Sequence, residues 1–295
     1  MPPQREAAKQ MQTDLIGRGL RLASGVASLT LAVAAAFADT GAALAPHRAI
    51  YDVTLAAARG GAGVSAVSGR IAYELTGSAC DGYTQTMRFV TRMTNQSGGT
   101  TVSDLRSTTW EEGSGKRFKF DSSQLRDERP SDATIGDAAR PGPADDVKVD
   151  LTKPAKKSIS LPARIYFPIE HTVALIDAGK AGKTALRANL YDGSEKGEKV
   201  YDTVAVIGKS QPHASRKLGQ VKNAERLAAM RAWPVSIAYF ERDADAKDAL
   251  PVYELSFLMF ENGVSRRLHI DYGEFALVGE LRDITFHAPS KCAKK

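Results

Sequence analysis

Residues that carry chemistry are scarce in this chain of 295 amino acids, which has two cysteines and five histidines. There is no C-x-x-C, so no thioredoxin-like redox pair, and too few cysteines for a cysteine-rich metal site. His47, His171, His213, His269 and His287 include no pair at helical ligand spacing. No serine sits in a G-x-S-x-G elbow. Gly179 to Thr184 ends like a phosphate-binding loop, but Asp177 stands where that motif needs its first glycine and a helical pattern precedes it where a strand should. Asp192 to Gly197 has a faint calcium-loop spacing, yet Lys196 puts a cation where an oxygen ligand belongs. Basic residues exceed acidic ones by a net +6 but are interleaved with them, which argues against a nucleic-acid partner. The expectation is no catalytic residue, no metal and no cofactor.

What is present begins with a secretory pattern. A polar, basic opening with Arg18 and Arg21 leads into an uncharged apolar run from Leu22 to Phe37, short for a spanning helix. Ala36-Phe37-Ala38 and Ala43-Leu44-Ala45 both fit a small-residue cleavage site, and Pro46 after the second favours the first. Residues 1–45 are thus expected to be a signal peptide, cleaved after Ala38 or Ala45, and 46–295 a single periplasmic domain. No later apolar run is long enough to cross a bilayer as a helix.

The rest of the chain alternates with a period of two. Strands are expected at His47 to Leu55, Val67 to Leu75, Tyr83 to Met93, Thr100 to Trp110 and around Phe118 and Phe120, with glycine clusters between them. Arg126 to Asp146 reads as a loop with one weak strand near Thr134 and Ile135. Ile169, Val173 and Ile176 mark one helix, with Pro168 in its first turn and Gly179 placed to end it. Lys209 to Arg231 is polar and basic and reads as a mobile excursion with a short amphipathic piece, Ala224 to Met230.

Pro251 to Tyr272 is the strongest hairpin. Tyr253, Leu255, Phe257 and Met259 share a face, Leu268 and Ile270 lie opposite, and Arg266 is the one exception to the apolar side. Asn262-Gly263 suits a type I′ turn. The fold class expected is mainly all-β: a large antiparallel spiral or barrel-like sheet of roughly a dozen or more strands with one or two short helices. Such a sheet has more apolar strand faces than a flat one could bury, and the mouths of wound sheets are common ligand sites. The six hairpin residues are therefore the expected ligand-facing set.

Cys80 and Cys292 lie near the two ends of the expected domain, and in an oxidising compartment a structural disulfide is the expected state. Chain-entropy arithmetic gives such a loop roughly 5 kcal/mol as an upper figure.

Ala45-Pro46-His47-Arg48-Ala49-Ile50-Tyr51-Asp52-Val53-Thr54-Leu55 resembles the start of the mature domain in the envelope integrity protein B (EipB) family of alphaproteobacteria. The positions of Cys80 and Cys292, the hairpin through Phe260-Glu261-Asn262-Gly263-Val264 and the strand through Tyr272-Gly273-Glu274 are similar too. The resemblance implies a periplasmic β-spiral that supports cell-envelope integrity under stress. It also implies a tetratricopeptide-repeat partner in the periplasm, and it brings no established catalytic activity. A non-enzymatic factor holding a lipid, lipoprotein or protein segment is the expected function. The alternative is an envelope hydrolase or transferase with a dispersed active site.

Overall fold

The computed structural model describes residues 43–61, 63–142, 144–210, 218–242 and 250–292. The signal segment up to residue 42, the cleavage site at Ala38 and His213 lie outside the described residues. The alternating stretches form β1 (His47–Ala58), β2 (Val64–Ser78), β3 (Gly82–Asn95), β4 (Thr100–Glu111) and β5 (Arg117–Arg126). Next come β6 (Arg129–Ala139), β7 (Val147–Lys153), β8 (Lys157–Leu161), β9 (Ile165–Tyr166) and the helix α1 (Pro168–Lys180). The remaining strands are β10 (Ala185–Leu190), β11 (Tyr201–Ile207), β12 (Ala232–Glu241), β13 (Tyr253–Phe260), β14 (Ser265–Asp271) and β15 (Phe275–Phe286).

All of them belong to one 15-stranded sheet, ordered β8-β7-β6-β5-β4-β3-β2-β1-β15-β14-β13-β12-β11-β10-β9. β1 pairs with both β2 and β15, so the first and last strands of the domain meet in the middle of the sheet. Pairing is antiparallel apart from the two-residue β9, which runs parallel to β10. A sheet this wide must curl to bury an apolar face. Its two ends meet through side chains: Phe118, Phe120, Val149 and Leu151 cluster with Tyr191 and Val200 of the β10–β11 connection. Gly193 permits the approach, because a Cβ there would lie 2.5 Å from the Phe120 ring. The result is a mainly β, nearly closed, barrel-like sheet with a single α-helix among the described residues.

The helix lies against the inner face of β10, β11 and β12, clustering with Ala205, Ile207, Val235 and Ile237. Phe167, at its N-cap position, has no side-chain acceptor, and the end of β4 supplies one. Glu111 accepts from the Ile169 N–H at 2.8 Å and the Glu170 N–H at 2.9 Å. Burial pushes the Glu111 pKa up to about 8, against the pull of those two donors. Arg140, also buried, donates to the Gly115 carbonyl and to Glu170, so the β4–β5 turn, β6 and α1 are tied together. Pro168 occupies the first turn as expected. Gly179 does not end the helix: it stays in the last turn, where any Cβ would meet the Trp233 ring at 3.0 Å, and the left-handed residue beyond the end is Gly182.

Other expectations are corrected. The stretch after Arg126 holds a full strand, β6, reached by a two-residue turn in which Asp127 and Glu128 both have positive φ, 50° and 64°. That is the type I′ geometry, and it occurs here instead of at Asn262-Gly263, where only Gly263 has positive φ. Only the weak strand near Thr134 and Ile135 was legible, because the inner positions of β6 are small. Gly136 leaves room for Phe120, whose ring would come within 2.4 Å of a Cβ. Arg266 is not on the cavity side. Arg267 has φ 55° and shifts the alternation of β14, so Ser265 faces inward and Arg266 faces the opposite layer, 6% exposed. The described part of the basic excursion is docked there: Leu218, Ala224 and Leu227 are buried in the same cluster as Phe260, Leu281 and Ile284.

Candidate functional site

Inside the wound sheet the side chains leave a cavity of about 380 Å³, within the roughly 300 to 1,000 Å³ usual for small-molecule sites. One wall is the hairpin, with Tyr253, Leu255, Phe257 and Met259 from β13 and Leu268 and Ile270 from β14. The structure thus brings all six of the residues singled out in the sequence to one space. The facing wall comes from strands distant in sequence: Tyr51 of β1, Ile71, Tyr73 and Leu75 of β2, and Gln85 and Met87 of β3. Ile169, His171, Thr172 and Leu175 of α1 and Ile237 and Tyr239 of β12 complete it.

Met259 is fully buried, but Tyr253, Leu255, Phe257, Leu268 and Ile270 remain partly accessible although they point to the inside of the sheet. An inward apolar face that is not fully covered is unlike an ordinary core, where interiors are close-packed.

Apart from the Asp192 carboxylate, the polar groups of the lining are few and neutral. His171 is 4% exposed and its Nε2 has no hydrogen-bond partner; burial lowers its pKa to about 4. His47 is held by a 2.7 Å contact between its Nδ1 and the Ala45 carbonyl, and burial lowers its pKa too. Gln85 donates to the Tyr73 hydroxyl at 2.9 Å, and burial raises the Tyr73 phenol to about 12. Tyr239 and Tyr253 stack with ring centres 4.2 Å apart, and burial pushes both phenols up. Asp192 accepts from the Ser194 N–H. Such a lining offers van der Waals surface and a handful of uncharged hydrogen-bonding groups, which suits an apolar chain. Among the described residues no group of His, Cys, Asp or Glu is arranged to hold a metal ion, and no helix is long and apolar enough to cross a membrane.

Cys80 and Cys292 form a disulfide, with Cα atoms 5.7 Å apart. The Ser290 N–H donates to the Gly77 carbonyl and its hydroxyl pairs with that of Ser78, so the chain after β15 is pinned to the β2–β3 turn.

Half of the cavity was not foreseen from the sequence. Alternation marked Ile71, Tyr73, Met87 and Ile237 as apolar strand residues, but nothing local says which strands face each other. His171 and Leu175 were visible only as parts of a helix. The phosphate-loop-like segment falls at the end of α1, and the calcium-like spacing is the β10–β11 connection whose glycines make room for Phe120 and Leu151.

One sheet wound on itself around an apolar interior space, with its two ends brought together by side-chain packing, defines a barrel-like protein. The chain belongs to the EipB-like family, whose model matches residues 38–288. It is 35% identical over 281 residues to the cell envelope integrity protein EipB of Brucella abortus (strain 2308), covering 93% of this chain and 97% of that one. It is also similar to a solved crystal structure, a β-barrel-like protein of a domain of unknown function from Brucella abortus. That likeness has a TM-score of 0.77 and 35% identity, and covers 83% of this chain and 99% of the other.

Proposed function

We propose that this protein is a non-enzymatic periplasmic factor that supports cell-envelope integrity by holding an acyl chain, of a lipid or a lipoprotein, in its inner cavity. The observation that carries the reading is the hairpin wall: Leu255 and Phe257 face inward and yet keep open space beside them. The printed name of the Brucella relative supports the envelope role. The signal-like N-terminus and the disulfide support the compartment. A tetratricopeptide-repeat partner belongs to the proposal on resemblance alone, and cross-linking in cells followed by identification of the captured protein tests it. The hydrolase alternative has no supporting observation in the lining, whose two imidazoles are buried and favour the neutral form.

The test is native mass spectrometry, with lipid extraction, of protein purified from periplasm. A recurrent amphiphile lost in Leu255→Arg is the expected result, and bare protein with no affinity for acyl probes overturns the reading. The position of processing is part of the same proposal. Leu44 is buried, its carbonyl accepts from the Tyr83 hydroxyl, and the Ala45 N–H donates to the Asn262 carbonyl. Cleavage after Ala38 keeps these contacts and cleavage after Ala45 removes them. N-terminal sequencing of the exported protein should therefore read from Asp39, and a start at Pro46 contradicts this.

A further inference from the structure

A second cavity, of about 450 Å³, is lined by residues that follow those of the first along the same strands. The boundary between them is a change of neighbour along the same strand face. On β3 Met87 lines the first cavity and Phe89 the second, two residues apart and therefore on one side of the sheet. Across β14 and β15, Ile270 of the first is paired with Leu277 of the second. The interior is thus one concave surface that continues toward the end of the sheet where the β3–β4, β5–β6 and β14–β15 turns lie.

The two parts differ in chemistry. Apart from Asp192 the first is lined by apolar and uncharged groups. The second keeps apolar groups, with Phe89, Met93, Leu105, Phe275 and Leu277, and adds a row of polar ones on β3, β4 and β5. The register puts Thr91 opposite Ser103 and Ser103 opposite Arg126, so two hydroxyls and a guanidinium stand abreast on three successive strands. Arg126 is the one charged residue among those lining this cavity, and no carboxylate lines it. The neighbouring Asp127 is engaged elsewhere, accepting from the Val102 N–H at 2.8 Å. Gln124 donates to the Ser103 hydroxyl at 3.0 Å, which leaves the hydroxyl proton of Ser103 available to a ligand.

We infer that the second cavity is the head-group site for an amphiphile whose single acyl chain lies in the first, and that the head carries one negative charge together with hydroxyl groups. Guanidinium recognises phosphate and carboxylate by charge-assisted hydrogen bonds, and the Thr91 and Ser103 hydroxyls suit a polyol. The length agrees. From Gln85 to Met93 the inner row of β3 spans about 27 Å, room for an extended acyl chain with its head. The inference rests on the acyl-binding reading above.

The test compares three probes on the full exported protein by calorimetry, the two with acyl chains below their micellar concentrations. They are 1-lauroyl-lysophosphatidylglycerol, monolaurin with the same chain and an uncharged polyol head, and glycerol phosphate with no chain. The lysophosphatidylglycerol should bind about tenfold more tightly than monolaurin, and glycerol phosphate should not bind measurably. Arg126→Gln, an exposed position whose melting temperature should not change, should abolish that tenfold preference and leave monolaurin affinity unchanged. Equal affinity for the two acyl probes in the unaltered protein, or equal losses of both in Arg126→Gln, overturns the head-group assignment while leaving acyl binding intact. Tight binding of glycerol phosphate alone makes the site one for a free anion and also overturns it. Failure of both acyl probes refutes the cavity reading itself and this inference with it.

Discussion

Cys80 and Cys292 were legible in the sequence because their argument is about compartment, and the structure joins them. Cys80→Ser and Cys292→Ser should each cost about 2 to 5 kcal/mol. The double variant should match either single one in a denaturant titration, since all three remove the same cross-link. Additive losses contradict this. His171 was not legible: its burial depends on strands that face it from elsewhere in the chain. Burial lowers its pKa from 6.5 to about 4, so the unfolded chain takes up the proton first. The neutral ring contributes fully above pH 6.5, and that contribution is lost as pH falls toward about 4. The shift corresponds to about 3 kcal/mol. His47 is lowered for the same reason and titrates in the same direction, so the informative measurement is a difference. Melting temperatures of the unaltered protein should fall more steeply than those of His171→Gln between pH 7 and 4, and parallel curves contradict the assignment. Arg266 shows a further limit, because its side of the sheet was decided by a positive φ at Arg267, a residue type that does not announce one.

Long strands with large inward residues were readable, and strands with small ones were not. β1 to β5, β12, β13 and β15 alternate clearly, whereas β6 presents Thr134, Gly136 and Ala138 inward because Phe120 and Leu151 fill the space in front of them. The turn leading into β6 gives a test at this scale. Asp127 and Glu128 hold left-handed dihedrals, which cost L residues roughly 1 to 2 kcal/mol each. Glu128→Gly should therefore raise stability by about 1 kcal/mol without altering the hydrogen bond from Val102 to Asp127, and a lowered melting temperature contradicts the turn assignment. The helix shows the same division. Its stripe and Pro168 were visible, but its cap was not, because Glu111 reaches it from a strand far back in the chain.

At the largest scale the described residues form a sheet that joins its first and last strands, brings its ends together through side chains and keeps a helix within. The barrel-like class followed from counting strands too many for an open sheet. The cavity followed only in part, since the hairpin revealed one wall and the others needed the winding. Whether that space is for a ligand is decided at Phe257, which faces inward beside open space, and Phe260, which is fully buried and is not part of the cavity lining, serves as the control. Truncating a close-packed phenylalanine costs about 3 to 5 kcal/mol, and one that already borders a void loses less. The most direct measurement pairs denaturant stability with affinity for a lauroyl probe in both variants. Phe257→Ala should cost under about 2 kcal/mol and weaken probe binding several-fold, while Phe260→Ala should cost about 3 to 5 kcal/mol and leave the affinity of the folded fraction unchanged. A full core-like loss in Phe257→Ala with no change in probe affinity would contradict the account.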